Sequence, residues 1–236
     1  MSASLRGIVE RLGPHPSRRA GLDPTQDAGA LPWLALALLL SARADEEHAL
    51  AAWRDLAAHE LADVAALSAA DPAQVAARLA LAHVPQPERA AATLLRACRA
   101  FVSRFEGSLE RLAADADDLD SLGARVTSLA PGVGTATVLR FLRPLRERFA
   151  VARELPLAPS ARAAAVHLGL LTEDEDEEGA PARLRARALS EPDAPPFADV
   201  EAALERLGAA ACLRGRTDRC PLGNACPLRR SEPSGS

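Results

Sequence analysis

Fifty-three of the 236 residues are alanine, while aromatic residues make up only 3% and tyrosine is absent. Alanine has the highest intrinsic helix propensity, and aromatic side chains are among those that pleated strands favour. A chain so rich in the one and so poor in the other is expected to be all-α. Hydrophobic residues reach 48%, enough to build a packed core, so a disordered chain is excluded. The length fits one domain or two small ones.

A second count bears on chemistry. The chain contains no lysine: all 28 basic residues are arginine, set against 32 acidic ones for a net charge of −4. Mechanisms that need a lysine amine are therefore excluded, Schiff-base catalysis and a Walker-type phosphate lysine among them. Residues 1–11 are mixed polar and do not read as a signal peptide. The longest apolar run, 31–40 with Ser41 and Ala42 after it, is too short to span a bilayer and reads as a helix buried on all sides. The expectation is a cytoplasmic monomer with no membrane partner, nucleoid-associated if bacterial. Of the four cysteines, Cys212, Cys220 and Cys226 crowd the last 25 residues, a clustering that suggests metal more than disulfide in such a chain. Cys98 falls mid-helix and reads as core. The histidines His15, His48, His59, His83 and His167 show no ligand spacing and read as structural or solvated.

The pattern predicts helices near 31–42, 45–56, 61–68, 72–82, 88–105, 119–128 and 135–149, with another over 199–211. Asp71-Pro72 pairs an N-cap with proline at the first helical position. Pro144 falls inside the 135–149 pattern and should kink or end that helix. Six consecutive acids at 173–178 repel one another and read as a solvated loop. Residues 190–196 form a proline-rich connector, and 231–236 a frayed tail.

Between two helical stretches stands Pro131-Gly132-Val133-Gly134. Two glycines around one apolar residue allow a hairpin whose amides face outward at the start of the next helix, where hydrogen bonding and the helix dipole favour phosphate. The following segment carries Arg140, Arg143, Arg146 and Arg148 against the single acid Glu147, a locally basic element suited to a DNA backbone.

The span 119–140, LDSLGARVTSLAPGVGTATVLR, resembles the helix–hairpin–helix of the endonuclease III-type DNA glycosylases. The stretch PWLALALLLSARAD (32–45) is similar to that family's buried helix, and ERAAATLLRACRAFVSRFEG (88–107) to the helix that precedes the hairpin. HLGLL (167–171) and a terminal cysteine loop fall in the expected order, so the resemblance covers about 5–230. It implies a two-lobed all-α fold. A six-helix barrel lobe would run over 26–144, and a second helical lobe would join 1–25 to 145–230 and carry the cysteine loop. It also implies that double-stranded DNA, damaged or distorted, lies across the cleft between the lobes. The DNA contacts would come from Pro131, Gly132, Val133, Gly134, Thr135, Thr137 and Arg140, with Arg43.

Three family positions depart from pattern. The lyase lysine that follows the hairpin is Ala136 here, and no other lysine exists to replace it. The family aspartate aligns with Ala158 when the terminal Leu-Gly-Leu is matched, or with Glu154 when residues are counted without gaps from Ala136. The intercalating glutamine is Arg43, which could stack or reach phosphate but would not plug the space left by a flipped base. The leading expectation is a DNA-binding protein of the repair type without standard glycosylase or AP-lyase activity. A monofunctional glycosylase using Glu154, or another carboxylate, on an unidentified base is one alternative, and an interaction scaffold that binds no DNA is another.

The tail reads Cys212-x7-Cys220-x5-Cys226, against the family's Cys-x6-Cys-x2-Cys-x5-Cys for a [4Fe–4S] cluster. The last interval matches and the second cysteine is missing. Three outcomes stay open: a cluster with a non-cysteine fourth ligand such as Asp218 or water, zinc with a partner from elsewhere, or no metal. Residues 206–230 hold six arginines and one acid, which suits phosphate contact or a solvated tail.

Overall fold

A computed structural model of the chain describes residues 4–42 and 45–227. Among the described residues the structure is all-helical, with thirteen α-helices, five short 3-10 turns and no strand. None of these helices is long and apolar enough to cross a membrane. The chain divides into two compact units, Pro16–Leu155 and Met1–His15 joined to Pro156–Ser236. The resemblance implies borders at 25/26 and 144/145 instead.

The unit Pro16–Leu155 holds α2 (Pro16–Arg19), α3 (Asp27–Ser41), α4 (Glu46–Ala58), α5 (Val64–Ala69), α6 (Pro72–Leu81), α7 (Pro87–Phe105), α8 (Leu109–Ala113), α9 (Leu119–Thr127) and α10 (Thr135–Leu142). Helix α3 is its spine. Every residue from 30 to 40 is buried, so the helix has no solvent face, and it packs against α4, α7 and α10. Trp33 is 1% exposed, and its indole N–H donates to the Phe141 carbonyl at 2.9 Å, which satisfies the one polar atom that burial would otherwise strand. Aspartates open α4, α5, α6 and α9: Asp45, Asp63, Asp71 and Asp118 each accept a backbone N–H of the first turn. Asp118 and Ser121 do so reciprocally, as a capping box.

Helix α10 ends at Leu142, and Pro144 sits in a 3-10 turn, Arg143–Leu145. The helix ends early, as Pro144 leads one to expect, because proline lacks the N–H that the ladder needs. The basic face expected on that helix is broken up with it. Arg146 is 2% exposed and donates to the carbonyls of Ala152, Arg153 and Leu155 at 3.3, 3.2 and 2.6 Å. Arg148 donates to the Thr25 carbonyl and pairs with Asp27 and Glu110. Its guanidinium holds the Glu110 carboxyl below the usual glutamate range. Both arginines tie segments of the unit together, and neither is available to a phosphate backbone.

The other unit holds α1 (Leu5–Leu12), α11 (Pro159–His167), α12 (Ala180–Leu189), α13 (Phe197–Ala210) and the tail beyond. Helices α11 and α13 form the most extensive helix–helix contact of the chain. They approach so closely at Gly208 that a Cβ there would fall 1.8 Å from the Ser160 carbonyl oxygen. Buried Asp199 accepts the His15 amide at 2.8 Å, and Arg206 donates to the carbonyls of Gly13 and Pro14 at 2.7 and 2.9 Å. These contacts fasten the N-terminal segment onto α13.

The acidic run is a solvated loop, as expected, and its backbone is held in place. Glu175 accepts Arg183 at 2.8 Å and the Thr172 amide at 3.2 Å. Asp176 accepts the Gly179 amide, and Arg162 donates to the carbonyls of Glu173 and Glu175. The other five acids are exposed, which spreads their repulsion into water while the backbone is held from beneath.

Candidate nucleic-acid interface

Helix α9 closes at Ser128, and α10 opens at Thr135 with Gly134 as its N-cap. Leu129, Ala130 and Val133 are 3%, 5% and 3% exposed and anchor the turn from below, whereas Pro131, Gly132, Gly134, Thr135 and Ala136 face solvent. Gly132 has φ +97°, a conformation that L side chains rarely adopt. Helix α7 braces the turn: Arg104 donates to the Ser128 carbonyl at 3.0 Å, and Thr93 stands 3.5 Å from the Pro131 carbonyl.

Gly134 has no side chain with which to cap α10. Its carbonyl accepts the Thr137 and Val138 amides at 2.9 and 3.1 Å. The amides of Thr135 and Ala136 have no acceptor among the described residues. Two exposed N–H groups at a helix N-terminus, carrying its positive dipole end, can accept an anion. Arg140, one turn and a half further on, is half-buried.

Beside the hairpin, within the same unit, lies a cavity of ≈ 340 Å³. The end of α3 (Ser41 and Ala42), the start of α7 (Gln86, Arg89 and Thr93) and the hairpin residues Gly132 and Thr137 line it. Thr137 is 3% exposed, so its hydroxyl-bearing side chain belongs to the cavity wall and not to an outer phosphate-binding surface. Gln86 is held in the left-handed region at φ 51°, a sparsely populated conformation for a side-chain-bearing residue. The lining contains no carboxylate among the described residues. Gln86, Arg89 and Thr93 were not legible as site residues, because only the packing of α7 against α3 brings them to the hairpin.

The remaining expected site residues fall elsewhere. Arg43 lies outside the described residues, although its neighbour Ala42 lines the cavity. Ala136 is exposed in the first turn of α10. Glu154 is exposed at the end of a 3-10 turn, Val151–Glu154, and does not line the cavity. Ala158 belongs to the other unit, 5% exposed, as an N-cap of α11 that has no capping side chain.

The cysteine tail folds as three 3-10 turns, Cys212–Arg214, Thr217–Arg219 and Gly223–Ala225. Cys212, Cys220 and Cys226 line one small apolar cavity, together with His167 from the end of α11. Cys220 and Cys226 are each 7% exposed. Burial, and then the nearby Cys220 and Cys226, push the Cys212 thiol up to about 11. Burial likewise raises Cys220. Asp218 does not join them: it is 74% exposed beside Arg219, so the expectation of that residue as a fourth ligand is corrected. No three His, Cys, Asp or Glu side chains among the described residues converge on a single-ion site. Cys98 is fully buried in the other unit, its thiol pushed up to about 12 by desolvation, which leaves it an inert core residue.

No family model and no curated protein sequence matches the chain.

Proposed function

We propose that the chain is a DNA-binding protein of the endonuclease III-like, helix–hairpin–helix type, built on the two-lobed fold of those glycosylases but without their standard glycosylase or AP-lyase chemistry. The carrying observation is the hairpin itself: two exposed, unbonded amides at the start of α10 beside a cavity of ≈ 340 Å³, within the size range of small-molecule pockets. The amides of Thr135 and Ala136 take a phosphate, Arg140 adds charge, and the cavity receives a displaced or damaged nucleotide. The chemistry is missing for stated reasons. No lysine exists to attack a sugar, and no carboxylate among the described residues lines the cavity to activate water. The resemblance adds an iron–sulfur centre on the three tail cysteines, but those side chains meet at no single-ion point among the described residues, and the DNA reading does not depend on it.

The test compares binding to a duplex carrying one stable abasic analogue with binding to the undamaged duplex, at two salt concentrations. The damaged duplex should bind more tightly, and affinity for both should fall as salt rises. Equal and negligible binding to both overturns the proposal and favours an interaction scaffold.

A further inference from the structure

Two helices begin at the wall of the cavity beside the hairpin. Helix α7 starts at Pro87 after Gln86, whose side chain makes no capping hydrogen bond, and α10 starts at Thr135 after Gly134, which has no side chain to cap with. Proline lacks an N–H, so the Glu88 and Arg89 amides are the donors left in the first turn of α7, and neither has an acceptor among the described residues. Arg89 and Thr137, each the third residue of its helix, both line the cavity. The positive ends of two helix dipoles therefore meet at one space.

Two side chains turn this field into a site. Thr137 is 3% exposed, and its hydroxyl has no hydrogen-bond partner among the described residues. The little surface it keeps lies in the cavity wall. Ser41, in the same wall, donates its hydroxyl to the Ala37 carbonyl at 2.7 Å, as helical hydroxyls often do. A buried hydroxyl without a partner forfeits its hydration, which an acceptor oxygen of a ligand would restore. Arg89 is exposed, makes no ion pair among the described residues and is steadied only by the Gln86 amide oxygen at 3.4 Å. With no carboxylate in the lining among the described residues, nothing there offsets its charge.

A field of donors with one guanidinium suits a small anion whose oxygens only accept. A phosphomonoester is largely dianionic at neutral pH and offers three acceptor oxygens. A backbone diester carries one charge and continues in both directions, so it passes along the rim and does not end inside. Leu38, Leu39 and Ala90 give the cavity of ≈ 340 Å³ an apolar wall for the sugar or base attached to the phosphate.

We propose that this cavity binds a phosphomonoester, with Arg89 and the Thr137 hydroxyl as its side-chain donors. The monoester has two sources: a strand terminus at a nick in duplex DNA, and a free mononucleotide. The strand-terminus form rests on the DNA reading above, whereas the choice of a monoester by the cavity does not.

The experiment measures binding of the full-length chain to nicked duplexes that differ only in carrying a phosphate or a hydroxyl at the nick, on the 5′ or the 3′ side. A parallel arm compares thymidine monophosphate with thymidine. The phosphate form should bind about tenfold or more tightly, the scale of a charge-assisted hydrogen bond. Arg89→Ala, at an exposed position, should remove most of that preference. Thr137→Val keeps the side chain's shape without its hydroxyl and should reduce the preference by about threefold. Should Thr137→Val fail to fold, Arg89→Ala still decides. Equal binding of phosphate and hydroxyl forms in both arms overturns the proposal, and the abasic-duplex comparison then still decides the DNA reading by itself. Binding of the mononucleotide with no duplex bound upholds the monoester cavity and overturns the DNA reading. A monoester preference that survives Arg89→Ala unchanged overturns the placement of the site in this cavity.

Discussion

At the scale of single residues, identical side chains take opposite roles according to what surrounds them. Arg140 and Arg146 lie six apart in the same stretch, and the sequence offers no way to tell them apart. Arg140 is half-buried at the hairpin helix, whereas Arg146 is 2% exposed and donates to three carbonyls of the 152–155 segment. Replacing Arg146 by methionine keeps much of the stem's packing but strands those carbonyls. The cost should be about 2–4 kcal/mol, read as a lower urea midpoint. Arg140→Ala should stay within about 0.5 kcal/mol of wild type in the same titration and instead flatten the salt dependence of DNA binding by about one unit of slope. A destabilised Arg140→Ala protein with unchanged DNA binding would reverse these assignments.

At the scale of elements, the hairpin separates stability from function. Gly132 is required by its backbone: at φ +97° a side chain is strained, and a Cβ would sit 3.2 Å from Thr93 Oγ1. Gly132→Ala should therefore cost about 1–3 kcal/mol. Gly134 is different. Its φ of −107° suits any residue, and a Cβ there meets nothing within 4 Å. Gly134→Ser places a hydroxyl at a bare N-cap, so thermal unfolding should show stability unchanged or raised by a few tenths of a kcal/mol. The same hydroxyl accepts the Ala136 amide, one of the two left free at the start of α10, and should weaken DNA binding. A stable Gly134→Ser protein with undiminished DNA affinity would sink the role given to those amides. Helix positions were largely legible: the alanine- and leucine-rich stretches predict α3, α4 and α7 to within a few residues, and Asp71-Pro72 marks the start of α6. The early end of α10 was legible too, through Pro144. What escaped were α1, α2, α8, α11 and α12, which the pattern does not predict, and the support of the acidic loop by Arg162 and Arg183, which does not follow from the run's own composition.

At the scale of the whole molecule, one prediction needs no coordinates. With no lysine in the chain, borohydride treatment in the presence of an abasic duplex should trap no covalent adduct from an internal side chain. An adduct mapped to such a residue would break the exclusion of Schiff-base chemistry. Composition determined this, together with the all-α class, because both are properties of residue types that hold wherever those residues are placed. Tertiary structure decided which residues meet. It set Gln86, Arg89 and Thr93 beside the hairpin by packing α7 on α3, it withdrew Arg146 and Arg148 into the framework, and it brought His167 to three cysteines that lie far along the chain. Such juxtapositions depend on how helices cross and how closely they approach, as at Gly208 against Ser160. A linear pattern with the helical period reports which face of a helix is apolar, but not which helix that face will find.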